Sequence, residues 1–310
     1  MGGRAVRPFY FPRFFGKQVD MNIRKAVIPA AGFGTRFLPV TKVLPKEMLN
    51  VIDKPLIQYC VEEAVGSGLD RIGLVTSRGK AALEDHFDRN PDLEAFLEAK
   101  GRSDLLEEVR RLQGLAEITA IRQPQPLGLG HAILMGETFA GGEPFAALTP
   151  DDIYDCRRPC TRQLLDVFME KKATVIVLGR VDREGTKKYG IIKPKQVSER
   201  LFQVLDMAEK PGPEKAFSDL GILGRYIFTP EIFEAIRRTP PDKNGEVQIT
   251  DAIRVLLEKQ PVYGLLFEGR RFDCGDKFGY LEATLHLALK RPEFRGRFKE
   301  LLRIALDKEP

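Results

Sequence analysis

Ala30-Ala31-Gly32-Phe33-Gly34-Thr35-Arg36 follows directly on a short apolar run, Lys25-Ala26-Val27-Ile28-Pro29. Glycines let successive backbone N–H groups turn toward an anion, and small neighbours let that anion approach the main chain. The backbone of Ala31, Gly32, Gly34 and Thr35 is therefore a candidate phosphate cradle. It is not a dinucleotide fingerprint, because Phe37 stands where the third glycine of that pattern belongs. No Gly-Lys-Ser/Thr follows, so it is not a Walker loop either. Two cations sharpen the reading. Arg36 closes the loop, and Lys46 lies between Pro45 and Glu47. A guanidinium fork and an ammonium point charge at this spacing suit a polyphosphate. Farther on, Pro150-Asp151-Asp152 comes just after the apolar run Phe145–Leu148. Acidic residues past the end of a sheet strand lie where open α/β folds bind ligands. Asp151 and Asp152 are both candidates there, for a cation or as helix N-caps.

The elements that would carry these groups are legible as periodicity. Strand patterns at Lys25–Pro29, Arg71–Thr76, Glu117–Gln123, Pro144–Leu148 and Thr174–Gly179 alternate with helical ones. The helices are expected at Leu56–Val65, Lys80–Phe87, Gly130–Phe139 and Thr161–Lys171, with one long charged helix over Asp92–Leu112. Such alternation predicts an α/β protein with a mostly parallel, twisted sheet covered on both faces. After Gly179 the rhythm turns to short strands at Gly190–Lys193, Phe202–Ala208, Gly221–Phe228 and Val262–Phe267. Helices return at Pro230–Arg238, Ile249–Lys259, Lys277–Leu289 and Phe294–Leu306. No repeat or linker divides the chain. The expected layout is a basic, aromatic and disordered extension over residues 1–20, one catalytic domain over 21–290, and a C-terminal helix over 291–310. The extension has no continuous apolar core of about 7–15 residues, so it is not expected to be a signal peptide.

Composition narrows the function classes. The 310 residues are 43% hydrophobic and 30% charged, with a net charge of +5 and a mean hydropathy of −0.23. No apolar run reaches the roughly 18–20 residues of a membrane span. The positive excess is too small for a nucleic-acid partner and suits anionic small molecules. Cys60, Cys156, Cys160 and Cys274 are too few and too scattered for a disulfide framework or a zinc site, which fits a reducing cytoplasm.

A series of ordered blocks resembles the sugar-phosphate nucleotidyltransferase family. The blocks are Gly32-x-Gly34-Thr35-Arg36, Leu38-Pro39-x-Thr41-Lys42, Pro45-Lys46-Glu47-Met48-Leu49 and Asp53-Lys54-Pro55-Leu56-Ile57-Gln58-Tyr59. They continue with Gly128-x-Gly130-His131-Ala132, Glu209-Lys210-Pro211, Gly224-Arg225-Tyr226, Gly245-Glu246-x-Gln248-x-Thr250-Asp251 and Asp273-Cys274-Gly275. The resemblance spans roughly Met21 to Leu289. It implies a Rossmann-like, doubly wound α/β fold with a mixed sheet and a smaller β-rich sugar-binding part. It also implies that Gln123 and Gly128 read a pyrimidine, that Asp151 and Asp273 hold Mg2+, and that Tyr189, Gly190, Glu209 and Lys210 bind the sugar phosphate. Asp152 remains the rival to Asp151 as metal ligand. His131 reads as a helix residue and Cys274 as packed. Two positions depart from the family: Asn50 replaces a proline after Met-Leu, and Asp219 stands where Asn is common, which puts one sugar-hydroxyl contact in question.

The implied reaction needs no general base, since the phosphate of glucose 1-phosphate is already an anion. In-line alignment, charge neutralisation and a metal suffice. Arg36 and Lys46 would hold the leaving pyrophosphate of UTP, and Lys210 would aim the nucleophile. UTP and glucose 1-phosphate are the expected partners, Mg2+ the expected cofactor, and a cytoplasmic homo-oligomer, dimer or tetramer, the expected form. Three rivals stand beside this: a thymidylyltransferase on the same sugar phosphate, a glycosyltransferase whose metal motif would be Asp151–Asp155, and a non-catalytic sugar-nucleotide sensor.

Overall fold

A computed structural model describes residues 23–307. The extension expected over residues 1–20 therefore lies outside the described residues. The strands, in chain order, are β1 (Lys25–Pro29), β2 (Asn50–Val51), β3 (Lys54–Pro55), β4 (Arg71–Thr76), β5 (Glu117–Arg122), β6 (Phe145–Leu148) and β7 (Asp152–Asp155). They continue as β8 (Val175–Arg180), β9 (Ile191–Gln196), β10 (Leu201–Ala208), β11 (Leu220–Phe228), β12 (Val262–Leu266) and β13 (Arg270–Asp273). Nine of them form one sheet in the order β5-β4-β1-β6-β11-β8-β12-β10-β9.

The sheet is mixed, and it is less parallel than the alternation predicts. Neighbours are parallel across β5-β4-β1-β6 and between β8 and β12. The remaining adjacent pairs are antiparallel. Two of these pairs flank β11, a nine-residue strand buried throughout, which enters between β6 and β8 after the β9–β10 hairpin and not from a helical crossover; the other two are made by β10 with β9 and β12. The β-rich part is thus the far edge of the same sheet. Helices cover both faces. Leu56–Gly66 and Cys160–Lys171 pack on one side with Ile28, Leu148 and Val177, and Gly128–Met135, Ile232–Arg238 and Ile249–Leu256 on the other with Val27, Ala147 and Phe228.

One local reading is corrected, and one strand pair is added to those expected. The single helix expected over Asp92–Leu112 is two, Pro91–Ala99 and Ser103–Gln113, because Gly101 adopts φ 66 and ends the first. The strands β7 and β13 carry no separate run in the sequence pattern, yet they pair antiparallel with Asp152 opposite Asp273 and Ile153 opposite Phe272. Side chains alternate across a strand. The apolar pair therefore enters a third cluster with Phe37, Val51 and Leu56, while Asp152, Arg271 and Asp273 share the other face. Losing a side chain as buried as Phe272 typically costs about 3–5 kcal/mol and would unseat that pairing.

Asn50 meets the turn between β2 and β3: its amide donates to the Ile52 carbonyl at 2.8 Å, where Ile52 has φ 67. In the helix pair, Arg89 and then Arg110 and Gln113 donate to Glu94, which is almost fully covered, and hold its carboxyl down at about 2. That contribution is complete above the ordinary glutamate range and is lost as pH falls through it toward about 2. The melting temperature of Glu94→Gln should therefore fall less steeply than that of the parent between about pH 4.5 and 2. Equal slopes in the two proteins would remove Glu94 as the acid-sensitive tie.

Candidate active site

The glycine-rich loop leaves β1 without entering an α-helix. Three short 3-10 turns follow, Thr35–Phe37, Val40–Lys42 and Lys46–Met48, because Pro39 and Pro45 withhold the N–H groups a helix needs. Gly34 has φ 67, and a Cβ there would stand 2.9 Å from the Lys46 Cβ. Glycine is required at this point so that the loop and the Lys46 segment can touch. Thr41 Oγ1 closes the loop by donating to the Gly34 carbonyl at 2.8 Å. Beneath it, buried Lys80 donates to the Ala30 carbonyl and, at 2.8 Å, to Glu47 Oε2. Lys80 was not among the residues singled out by motif, and nothing in its local sequence marks it.

Asp151 follows β6 as expected. Lys46 Nζ donates to Asp151 Oδ2 at 2.6 Å. Against the opposing push of burial, Lys46 holds the Asp151 carboxyl below the usual carboxylate range. Burial likewise works against the charge of Lys46, yet Asp151 and Glu47 together keep its ammonium above its ordinary value. Across the site, Arg36 donates to the Gly275 carbonyl at 3.1 Å. A Cβ on Gly275 would lie 2.9 Å from Asp273 Oδ1, 3.0 Å from Asp151 Oδ2 and 3.3 Å from the Arg36 guanidinium. The absence of that one carbon leaves a small cradle where two carboxylates and one cation converge.

Asp152 is engaged elsewhere. It is buried, accepts from Thr149 Oγ1 at 2.7 Å and from Arg271 Nε at 2.7 Å, and burial raises its carboxyl. The geometry thus separates the adjacent aspartates: Asp151 faces the cradle and Asp152 faces a protein cation. Neither caps a helix, since Asp152 opens β7 and Asp151 stands just before it. Asp155 is also taken, by Lys290 at 2.6 Å and His286 at 2.7 Å, so Asp151–Asp155 does not form one metal motif. Tyr189, expected beside the sugar, donates to Asp273 Oδ2 and accepts from Arg271 at 3.0 Å. Arg271 itself escaped the sequence reading, although it sits two residues before Asp273 and so on the same strand face.

The donor set suits a hard cation. Two carboxylates from distant segments face one point, and among the described residues no three or more His, Cys, Asp or Glu side chains are arranged to hold a metal ion between them. Mg2+ takes few protein ligands and keeps positions for water and phosphate oxygens.

Gln123 is buried at the end of β5. Its Nε2 faces the Gly128 carbonyl at 3.3 Å and His131 Nδ1 at 2.9 Å, so His131 fixes the amide. The glycines at 128 and 130 answer first to the protein. A Cβ on Gly128 would meet Glu246 at 2.9 Å, and one on Gly130 would meet the Val247 carbonyl at 2.7 Å. They let the Gly245–Gln248 block close over the helix start. On the β-rich side, Glu209 accepts from Thr250 Oγ1 at 2.7 Å and pairs with Lys210 Nζ at 3.0 Å. Gly190 leaves room for Thr250, whose Oγ1 would be 2.6 Å from a Cβ there. Burial, with the charges of Glu209 and Asp152, pushes up the Tyr226 hydroxyl of β11. Asp219 pairs with Arg180 on an exposed edge. Cys274 is buried, as read.

The family model of nucleotidyl transferases matches residues 25–290. This chain belongs to that family. The nucleotidyl transferase is 47% identical over 288 residues to a UTP–glucose-1-phosphate uridylyltransferase of Bacillus subtilis (strain 168), covering 93% of this chain and 99% of that one. It is 46% identical over 282 residues to the protein of the same name from Staphylococcus epidermidis, covering 91% and 98%. Among solved structures it is similar to a UDP-glucose pyrophosphorylase complexed with UDP-glucose, with a TM-score of 0.80 at 40% identity over 87% of this chain and 100% of that one. It is likewise similar to UTP-bound UGPase from Acinetobacter baumannii, with a TM-score of 0.84 at 39% identity over 90% and 98%.

Proposed function

We propose that this nucleotidyl transferase makes UDP-glucose and pyrophosphate from UTP and glucose 1-phosphate. The observation that carries the reading is the cradle at Gly275, where Asp151, Asp273 and Arg36 converge beside Lys46 and the glycine-rich loop. A phosphate oxygen of glucose 1-phosphate attacks the α-phosphorus of UTP, the bond to the β-phosphate oxygen breaks, and pyrophosphate leaves. The nucleophile arrives ionised, so no proton has to be removed.

The backbone of Ala31, Gly32, Gly34 and Thr35 cradles the nucleotide phosphates, and Arg36 and Lys46 stabilise the charge that grows on the leaving pyrophosphate. Lys46 is held by Asp151 in the free protein, so binding UTP exchanges one anionic partner for another. Asp151 and Asp273 would hold Mg2+, which supplies Lewis-acid polarisation of the phosphoryl oxygens. Gln123, steadied by His131, and the Gly128 backbone face the uracil. Lys210 neutralises the sugar phosphate, Glu209 accepts from sugar hydroxyls, and Tyr189 and Gly190 shape that side by positioning Asp273 and Thr250. We also propose a cytoplasmic location and a homo-oligomer, dimer or tetramer. No helix among the described residues is long and apolar enough to cross a membrane.

Pyrophosphate release measured with UTP, dTTP, ATP, GTP and CTP against several sugar 1-phosphates tests the reaction. Release should be fastest with UTP and glucose 1-phosphate; faster turnover of dTTP would favour the thymidylyltransferase, and no release the sensor. Gln123→Ala should weaken UTP by about 1–3 kcal/mol and narrow its preference over the other nucleotides. An unchanged nucleotide profile would take Gln123 out of the site.

A further inference from the structure

The segment that presents Asp151 is clasped by a single buried cation. Arg225, in the middle of β11, has no solvent exposure and directs every guanidinium nitrogen at an acceptor. NH1 donates to the Thr149 carbonyl at 2.7 Å and NH2 to the Asp152 carbonyl at 2.9 Å. These two carbonyls bracket the Pro150-Asp151 step. Nε and NH2 also grip Glu63 Oε2, at 3.0 and 2.8 Å, from the helix Leu56–Gly66. Glu63 Oε1 in turn accepts from the amide and hydroxyl of Thr161, at 3.0 and 2.6 Å, at the start of the helix Cys160–Lys171. The Tyr154 ring closes the cage, 4.5 Å from the guanidinium carbon. Gly224 admits the same segment: Thr149 N donates to its carbonyl at 2.9 Å, and a Cβ there would collide with Thr149 Oγ1.

An ion pair whose cation is fully buried is a poor device for stability alone, since desolvation offsets most of its attraction. It is a good device for geometry, because a planar five-donor fork fixes several acceptors at once. Here the acceptors lie on the carbonyls either side of a candidate metal ligand, a place where orienting contacts matter strongly for affinity. Lys46 and the Gly275 cradle meet the Asp151 carboxylate from the other side.

We propose that Arg225, anchored by Glu63 and Thr161, is a positioning residue that aims the Asp151 carboxylate at the cation and phosphate site. Arg225 touches neither substrate nor metal in this assignment. The inference rests on the proposed cation site at Asp151 and Asp273, and the test keeps the two apart.

Arg225→Lys retains the charge against Glu63 and cannot span both carbonyls. Binding of Mn2+ in the presence of UDP-glucose, followed by electron paramagnetic resonance, should weaken about tenfold, the scale of losing an orienting contact. Turnover should fall while the KM for glucose 1-phosphate stays within about twofold, as for an interaction expressed mainly in the transition state. In an Asp151→Asn background, Arg225→Lys should cost no further turnover, because the residue acts through the carboxylate already removed. Additive losses in that double variant, or unchanged Mn2+ binding in Arg225→Lys, would overturn the proposal. If Asp151→Asn alone binds Mn2+ normally, the cation assignment fails instead, and the positioning role falls with it. Should Arg225→Lys not fold, Thr161→Val removes only the hydroxyl that steadies Glu63. Weaker Mn2+ binding there, by about threefold, sustains the role, and parent-like binding sinks it.

Discussion

Asp151→Asn and Asp273→Asn are each expected to cut turnover by on the order of a hundredfold or more, with a much smaller change in the KM for glucose 1-phosphate. The substitution keeps size and shape, turns one acceptor oxygen into an NH2 donor and removes the charge on which a divalent cation depends. In the free protein Asp151→Asn also takes away the carboxylate charge that Lys46 meets at 2.6 Å. Activity of the parent protein should require Mg2+ or a close substitute, and EDTA should abolish it without shifting the unfolding transition. The adjacent Asp152 is the built-in control. It is spent on Thr149 and Arg271, so Asp152→Asn should act mainly on stability, read by thermal melting. If Asp151→Asn kept parental turnover and Asp152→Asn lost it, the roles of the two aspartates would have to be exchanged.

Lys46→Ala and Lys210→Ala are expected to damage opposite ends of one displacement. Lys46 packs against the glycine-rich loop, so its loss should weaken UTP binding in calorimetry and slow the pyrophosphate-driven back reaction. Removing one partner of a desolvated charge pair commonly costs about 2–5 kcal/mol, well above a surface ion pair. Lys46→Ala also strips Asp151 of its counter-ion, which should make it the more damaging of the two in turnover. Lys210 is half exposed beside Glu209, so a KM increase for glucose 1-phosphate of about ten- to a hundredfold, near 1.4–2.7 kcal/mol, is the expected scale, with UTP binding spared. Loss of the same substrate in both variants would collapse the division.

The groups proposed to do chemistry here are visible in one dimension where their setting is local. A glycine-rich turn after an apolar strand, a cation closing it and an aspartate past a strand end all follow from backbone sterics and side-chain type, which neighbouring residues largely settle. Helices and strands with long, regular patterns were legible for the same reason: β1 and β4 occupy the expected residues, and the helix from Leu56 starts where its periodicity begins. The break at Gly101 could also have been read from its glycine, yet the continuous charged pattern on either side masked it.

What one dimension could not decide was which of two neighbouring carboxylates faces the site. That depended on β7 pairing with β13, some 120 positions along the chain, in a register that sets Asp152 opposite Asp273 and hands it to Arg271. The same holds for Lys80 under the loop, for the glycines at 128 and 130 that admit the Gly245–Gln248 block, and for Arg225 reaching Glu63 and Thr149. Sequence determined the inventory of charges, the loop and the family pattern, because these depend on residue type and short spacing. The direction of each carboxylate, and which cation neutralises it, was left to tertiary structure. An ion pair is chosen by proximity in a low-dielectric interior, and only the packed sheet brings those partners within hydrogen-bonding distance.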